Sequence, residues 1–464
     1  MERITLPEQS VPVRGTYDVV IAGGGPGGVP AAIAAARAGA RVLLVERYGF
    51  LGGLATAGLV APILAHTAHD SETPIVEGIL REMTERMHAA GGAPQWRQAC
   101  TEWGVRFDPE SFKYVADRMV LESGVQILFH ALVTDAVTGS EPDGRRVTHL
   151  LVESKSGREA VAAKTFVDAT GDADVAFRAG ARTVQGRAFD GAVESMGSFI
   201  HLGGIEGISA EQAERARERL EKEMEAGRIR FYGSGIASDL SIQPDHYALN
   251  RTRFAADPAN VADLTAAEIE FREQAQRFVR FLRGQPGFDG VYLRATSAQG
   301  GPRESRQALG SYVLSGDDIV TGRKHDDAIA RGSWWIDIHC PLGHTWPVHL
   351  CVVECPRAEA CPFWAAEHES GMRSRNSLAP PAGDWYDIPY RCLVPDGVEN
   401  VLVTGRCISA THEGMAGARV MGTCMAIGEA AGVAAAFAAA SDGRCRDLEA
   451  EEVRTRLSAG GALV

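Results

Sequence analysis

The sequence predicts an α/β fold: a parallel sheet gathered from distant parts of the chain, with a mixed α+β domain inserted between them. Three observations predict it. Residues 18–46, DVVIAGGGPGGVPAAIAAARAGARVLLVE, read without a break as strand, glycine turn, helix, strand and acid. Two further strand runs, Thr165–Ala169 and Val401–Thr404, lie far downstream. Between them is a long stretch in which helix and strand patterns mix, so the sheet must be discontinuous.

Taken in order, Asp18–Ala22 is a short buried-strand run, and Gly23, Gly25 and Gly28 follow in the register G-x-G-x-x-G. Gly23 permits a tight turn, Gly25 lets a pyrophosphate approach the backbone, and Gly28 lets the next helix lie close to the sheet. That helix, about 27–38, is mostly alanine and points its N-terminal N–H groups and dipole at the phosphates. Gly39 ends it, Arg41–Val45 is the second strand, and Glu46 stands where a carboxylate can take both hydroxyls of a ribose. An ordinary glycine-rich turn would not need that acid. The unit therefore reads as a Rossmann-like dinucleotide site. Leu132–Val137 and Val147–Glu153 form a hairpin across the turn-rich 139–144, and the strand at 165–169 ends at Thr170-Gly171-Asp172. The middle region opens with small-residue strands near Ser195–Leu202. Ser209-x-x-Gln212 is a capping box opening a charged surface helix to about Ala226, and Thr265-x-x-Glu268 opens another, with Ile269, Phe278 and Phe281 among its apolar positions, that ends near Gly284. Leu378–Gly383 is a loop returning the chain to the cofactor domain. The expected segments are 1–184 and 391–464 for the dinucleotide domain and 185–390 for the inserted one.

After Glu46 comes a second glycine-rich loop containing Gly52 and Gly53, where a nicotinamide enzyme would normally enter another helix. Residues 166–180, FVDATGDADVAFRAG, and 398–432, VENVLVTGRCISATHEGMAGARVMGTCMAIGEAAG, resemble the Ala-Thr-Gly strand end and the C-terminal flavin segment of FAD proteins of the glutathione-reductase type. GGPRESRQALGSY (300–312) and WYDIPYRCLVP (385–395) are similar to the bacterial FAD-dependent oxidoreductase family, whose relatives include fumarate reductase and L-aspartate oxidase flavoproteins. The resemblance implies a bound FAD. The Gly52-Gly53 loop would pass beneath the ribityl chain and flavin. Gly171 and Asp172 lie at the strand end, and Gly405, Gly422 and Thr423 in the C-terminal segment. Where many relatives carry an acid after the last strand, this chain has Gly405-Arg406, which redirects Arg406 toward the pyrophosphate; Arg47, directly after Glu46, is also expected at the cofactor. His66-Thr67 lies beyond the loop that carries a covalently attached flavin in succinate-oxidising relatives, so a noncovalent FAD is expected.

At 464 residues the chain is too long for one simple core, and 45% apolar with 23% charged residues is ordinary for a globular protein. A net charge of −13 argues against a nucleic acid or an anionic membrane as a general partner, though a local arginine pocket still admits an anionic substrate. The opening MERITLPEQSVPVRG shows no secretory pattern, and nine cysteines fit reduced thiols in the cytoplasm. Met425–Ala440 is alanine-rich and interrupted by Glu429, which reads as a buried helix. The expected partner is a small-molecule substrate, and a homo-oligomer is allowed.

Flavin chemistry needs positive potential near the ring and a group to take a proton while the hydride leaves. The helix starting near Gly422 supplies potential from its N-terminus. The resemblance places Arg419 on a substrate carboxylate beside the flavin; a structural or flavin-contacting role stands against it. Among thirteen histidines, His412 follows the last flavin strand. His339 sits on an alternating run, 334–339, with Asp337 on the same face. A satisfied core or surface histidine is the alternative for each. In Arg303-Glu304-Ser305-Arg306, a buried Glu304 would pair with one of the arginines in a structural ion cluster, with direct substrate binding by Arg303 and Arg306 as the second reading. Cys351-x3-Cys355-x5-Cys361 matches no common metal pattern, and Val348–Val352 reads as a strand, so free thiols and no metal are expected. No Cys-x-x-Cys pair marks a disulfide reductase. The leading functional expectation is an FAD-dependent dehydrogenase or oxidase. The alternatives are a flavin monooxygenase or halogenase, or a flavin-binding electron-transfer subunit of a larger complex.

Overall fold

A computed structural model describes residues 4–5, 7–141, 144–188, 190–236, 241–243, 245–343 and 378–464. The cysteine run 351–361 and the strand expected at 348–352 lie outside the described residues. In chain order the strands are β1 (Val13–Ala22), β2 (Val42–Val45), β3 (Gln126–Leu128), β4 (Ala131–Glu141), β5 (Gly144–Ser154), β6 (Gly157–Asp168), β7 (Thr183–Gln185), β8 (Phe199–Gly203), β9 (Tyr247–Asn250), β10 (Tyr292–Thr296), β11 (Arg306–Ala308), β12 (Ala328–Gly332), β13 (Tyr386–Pro389) and β14 (Val401–Val403).

The main sheet runs β3-β2-β1-β6-β5-β4, with β14 also on β6. β1, β2, β3, β6 and β14 are parallel, and the β4–β5 hairpin continues the sheet antiparallel. The long β6 carries two neighbours on one edge: its first half pairs with β5, and its last three residues pair with β14. Every parallel strand therefore ends at the same rim, which is where an α/β sheet binds its ligand. The strands extend past their apolar runs. β1 begins at Val13 because its exposed first half still pairs with β6, and the hairpin arms outreach the apolar stretches for the same reason.

Gly28–Arg37 forms the helix after the fingerprint, and the Met421–Ala440 helix lies along it. Two glycines make this possible. A Cβ on Gly428 or Gly432 would fall 2.1 or 2.2 Å from the carbonyl oxygens of Gly27 and Ala31, so the two backbones touch. The Met421–Ala440 helix is apolar enough to cross a membrane by composition, yet 83% of its most apolar stretch is buried inside the protein. Its one acid, Glu429, reaches out to accept the Ile79 N–H at 3.0 Å and so caps the Ile79–Ala89 helix.

A second core lies apart from the sheet. Ile200 and Leu202 from β8, Leu220, Phe231, Phe278 and Phe288 pack together beneath the three-stranded β10-β8-β9 sheet. Ser209 caps Ala210–Glu225 with both arms of the capping box, as its spacing predicts. The next helix departs from expectation. It runs Val261–Arg283 from an Asn260 cap, and Thr265 lies within it, bonding back to the Val261 carbonyl at 2.7 Å. Asn260 wins because its amide oxygen reaches the Ala262 N–H, and exposed Ile269 adds nothing to packing. Residues 334–339 are also not a strand: the segment is irregular, tied to the return loop by Ile336 N–H to Leu378 carbonyl at 2.8 Å.

Candidate active site

An open cleft lies along the rim of the parallel strands. Its nucleotide end is made of backbone. Gly23 has φ of +102°, and a Cβ there would overlap the Ala169 carbonyl at 2.4 Å. Gly25 differs: its missing Cβ would meet only Gly53 Cα at 3.8 Å, so the position opens into the cleft. Gly28 is buried, its Cβ position 1.8 Å from the Gly23 carbonyl. Glu46, on the cleft wall, accepts the Gly24 N–H at 2.7 Å and the Tyr48 N–H at 2.9 Å. Burial raises its carboxyl above the ordinary range against those bonds. Each oxygen keeps lone-pair capacity for a ribose hydroxyl. Arg47 and Tyr48 both hydrogen-bond Gln299, which brings the inserted region to this wall.

The far end is more mixed. Gly53 and Leu54 line the cleft, whereas Gly52 turns inward, with φ of +112° and its N–H on the Gly24 carbonyl. Gly171, Asp172, Gly405 and Arg406 line it too. Arg406 lies 3.7 Å from Asp172, and its buried Nη1 has no partner. Thr404, at the end of β14, has a buried Oγ1 that is also unpartnered on the same wall. A glycine-lined opening beside unsatisfied donors is what the phosphates and polar chain of FAD would fill, so the residues present fit the cofactor. Gly422 is a correction. It does not line the cleft; its N–H bonds the Leu64 carbonyl at 3.1 Å, and a Cβ would sit 2.3 Å from that oxygen. Thr423 is buried behind the wall with Oγ1 unpartnered. His66 is buried against Trp96, with Nε2 on the Ala99 carbonyl at 2.9 Å.

Arg419 lines the cleft and joins it to a buried cluster of charge. Its Nε and Nη2 donate to the two oxygens of Glu194 at 2.9 and 3.1 Å, and Nη2 also reaches the Asp337 carbonyl at 2.7 Å. The Glu194 N–H donates to Glu304 Oε2 at 3.2 Å. That same oxygen lies 2.7 Å from His412 Nδ1, while His412 Nε2 is buried without a partner. Burial disfavours charge on His412, but Glu304 outweighs it and raises the imidazole above its ordinary value. The partner expected for Glu304 was an arginine, and the structure supplies His412 instead. The reason is direction: Ser305 and Arg306 turn to the loop after β6, where Arg306 bonds the Asp172 carbonyl and Asp174, so Arg306 does not pair with Glu304.

His339 belongs to the cluster by contact rather than by strand geometry. Its Nε2 is 3.7 Å from Asp337 Oδ1, its Nδ1 is 3.3 Å from Arg253 Nη2, and its N–H donates to Glu194. Burial and the nearby Arg303, Arg253 and Arg419 push its pKa well below the ordinary value, so it is neutral near pH 7. Glu194 and Arg253 carried no sequence signal. Each stands in a short run with no motif, and only the fold brings them together.

A family model described as FAD dependent oxidoreductase matches residues 18–457. A dihydrolipoyl dehydrogenase of Trypanosoma brucei brucei is 34% identical over 170 residues, 34% of this chain and 31% of that protein. The chain thus spans about a third of the length of that curated relative. A solved geranylgeranyl bacteriochlorophyll reductase-like protein from Thermoplasma acidophilum aligns with 96% of this chain and 82% of its own, at 11% identity and a TM-score of 0.43. Flavin-dependent brominase Bmp2 aligns with 96% of this chain and 84% of its own, at 14% identity and a TM-score of 0.41.

Proposed function

The chain belongs to the FAD dependent oxidoreductase family, and we propose that it is a dehydrogenase or oxidase acting on a small organic substrate. FAD, when bound, accepts a hydride and passes the electrons to oxygen or another acceptor. One observation carries the reading: His412, with Nδ1 on Glu304 and Nε2 unpartnered, is linked through Glu194 to Arg419 on the cleft wall.

His412 is the proton acceptor. Glu304 fixes its tautomer by accepting from Nδ1, which leaves Nε2 to take a proton from a substrate hydroxyl or amine. Arg419 stabilises negative charge at the cleft end and holds Glu194 in place. His339, neutral and hemmed in by arginines, orients rather than exchanges protons. Kinship with the fumarate reductase and L-aspartate oxidase flavoproteins is part of the proposal. So are noncovalent attachment and a cytoplasmic setting, which the free thiols of buried Cys100, Cys392, Cys407, Cys424 and Cys445 support.

The test is an anaerobic screen of hydroxy acids, amino acids and amines against the yellow protein, following flavin absorbance. Bleaching by a small organic compound supports the reading. Bleaching by a reduced nicotinamide alone would redirect it to a monooxygenase or halogenase, and bleaching only by a partner protein to an electron-transfer subunit.

A further inference from the structure

Three arginines meet in the charge cluster, Arg253 buried and Arg303 and Arg419 half-buried, and among the described residues an acid pairs with only one of them. Arg419 has Glu194 on two of its nitrogens and Asp337 Oδ2 at 3.6 Å. Arg253 and Arg303 make no ion pair among the described residues. Arg253 donates through Nη1 to Asn250 Oδ1 at 2.7 Å and to the Thr252 carbonyl at 2.6 Å, and lies over the Tyr232 ring at 3.7 Å. Its Nε is buried and unpartnered. Arg303 donates through Nη1 to the Ser195 carbonyl at 2.6 Å.

Burying the Arg253 guanidinium, and half-burying that of Arg303, without a counter-ion is costly, and these two also repel each other. Burial, then repulsion from Arg419, lowers Arg303 to about 10; burial, then Arg303 itself, pushes Arg253 well below its ordinary value. The two side chains converge on Gly197. A Cβ there would fall 2.9 Å from both Arg253 Nη1 and the Thr252 carbonyl oxygen and 3.2 Å from Arg303 Nη2, so only glycine lets the two guanidinium groups come this close to the chain. A planar oxyanion answers every one of these features. It supplies the missing charge, and it takes parallel N–H bonds from a guanidinium fork that carbonyl partners leave half used.

We propose that Arg253 and Arg303 form an oxyanion subsite that fixes a carboxylate group of the substrate. The substrate class is therefore a small organic acid, and the carboxylate contact that the sequence resemblance assigned to Arg419 passes to these two residues. The proposal deepens the oxidoreductase reading and rests on it. Gln299, four residues before Arg303, lines the cleft, and so does Arg419.

The experiment titrates the FAD-loaded protein with benzoate, malonate and inorganic phosphate, with benzamide as the neutral control, following flavin absorbance and equilibrium dialysis. At least one carboxylate should bind saturably, with benzamide at least about tenfold weaker. Arg303→Gln should weaken that carboxylate by about tenfold or more with flavin content unchanged, and Arg303→Lys, which keeps charge but loses the fork, should fall between. Arg253→Gln should act alike; if its lost bonds to Asn250 and Thr252 prevent folding, the two Arg303 variants decide. Carboxylate binding that is absent, or indifferent to both Arg303 variants, overturns the subsite, and phosphate bound more tightly than either carboxylate overturns the assignment to a carboxylate. Neutral compounds that bleach the flavin while carboxylates fail to bind would sink the subsite alone. Arginine-dependent carboxylate binding without bleaching by any organic compound would sink the oxidoreductase reading alone.

Discussion

The two ends of this site are built in opposite ways. The nucleotide end is backbone and glycine, drawn mostly from one continuous stretch, 18–58, and closed by the ends of β6 and β14. The charge cluster is built on charged side chains, gathered from segments near 194, 253, 303, 337 and 412–419. In the first, function depends on atoms that are absent. In the second, it depends on which charges are paired and which are not. Substitutions should therefore fail differently at the two ends, and that difference is open to test.

The largest effect separates two glycines of one motif. Gly28→Val places side-chain atoms where a Cβ alone would already be 1.8 Å from the Gly23 carbonyl, so no soluble folded protein is expected. Gly25→Val points into the open cleft. It should give a protein with unchanged circular dichroism and almost no bound flavin. A yellow Gly25→Val protein would break the assignment of the cleft.

Next comes His412, the proposed proton acceptor. His412→Gln should lower turnover about 10²–10⁴-fold while flavin content holds. Turnover of the unaltered enzyme should rise with pH through a value above 6.5, since Glu304 raises His412 and the neutral imidazole is the active form. Glu304→Gln should move that rise to lower pH. A merely structural pair would leave the pH profile where it was.

Arg419→Ala should reduce turnover about a hundredfold, far more than it reduces flavin content. It also strands Glu194 as a buried, unpaired acid, so a loss of about 3–5 kcal/mol in stability should accompany it. Equal loss of flavin and turnover would make Arg419 a cofactor residue instead.

How much of this was legible follows from the same contrast. Backbone sites write themselves into local sequence, because a turn, a close approach or a positive φ admits little but glycine. Gly23, Gly25, Gly28 and Glu46 could thus be placed from their spacing. The cluster obeys no spacing. His412 and Arg419 could be singled out because they follow the last strand, but Glu194 and Arg253 could not. Gly422 misled for a physical reason: a glycine at a helix start serves helix packing as readily as ligand approach, and here Leu64 takes its N–H. Thr265 misled because a capping pattern recurs inside helices, and the better cap lay five residues earlier.

The smallest effect lies outside the site. Glu429 is buried in the apolar helix, and burial raises its carboxyl to about 7. The folded state then holds a proton that the unfolded chain, near 4.5, gives up, so stability is fullest below about pH 4.5 and declines as pH rises toward 7. Glu429→Gln keeps the acceptor for Ile79 and removes the titration. Its melting temperature should exceed that of the unaltered protein at pH 8, by the equivalent of roughly 1–3 kcal/mol, with no advantage at pH 4.5.

The most direct test of the whole site mixes the unaltered protein and His412→Gln, anaerobically and separately, with the same organic acid found to bleach the flavin. The unaltered protein should bleach rapidly. His412→Gln should stay yellow on that timescale yet bleach at once with dithionite, which needs no proton acceptor from the protein. Equal bleaching of both by the organic acid would contradict the role given to the His412–Glu304 pair.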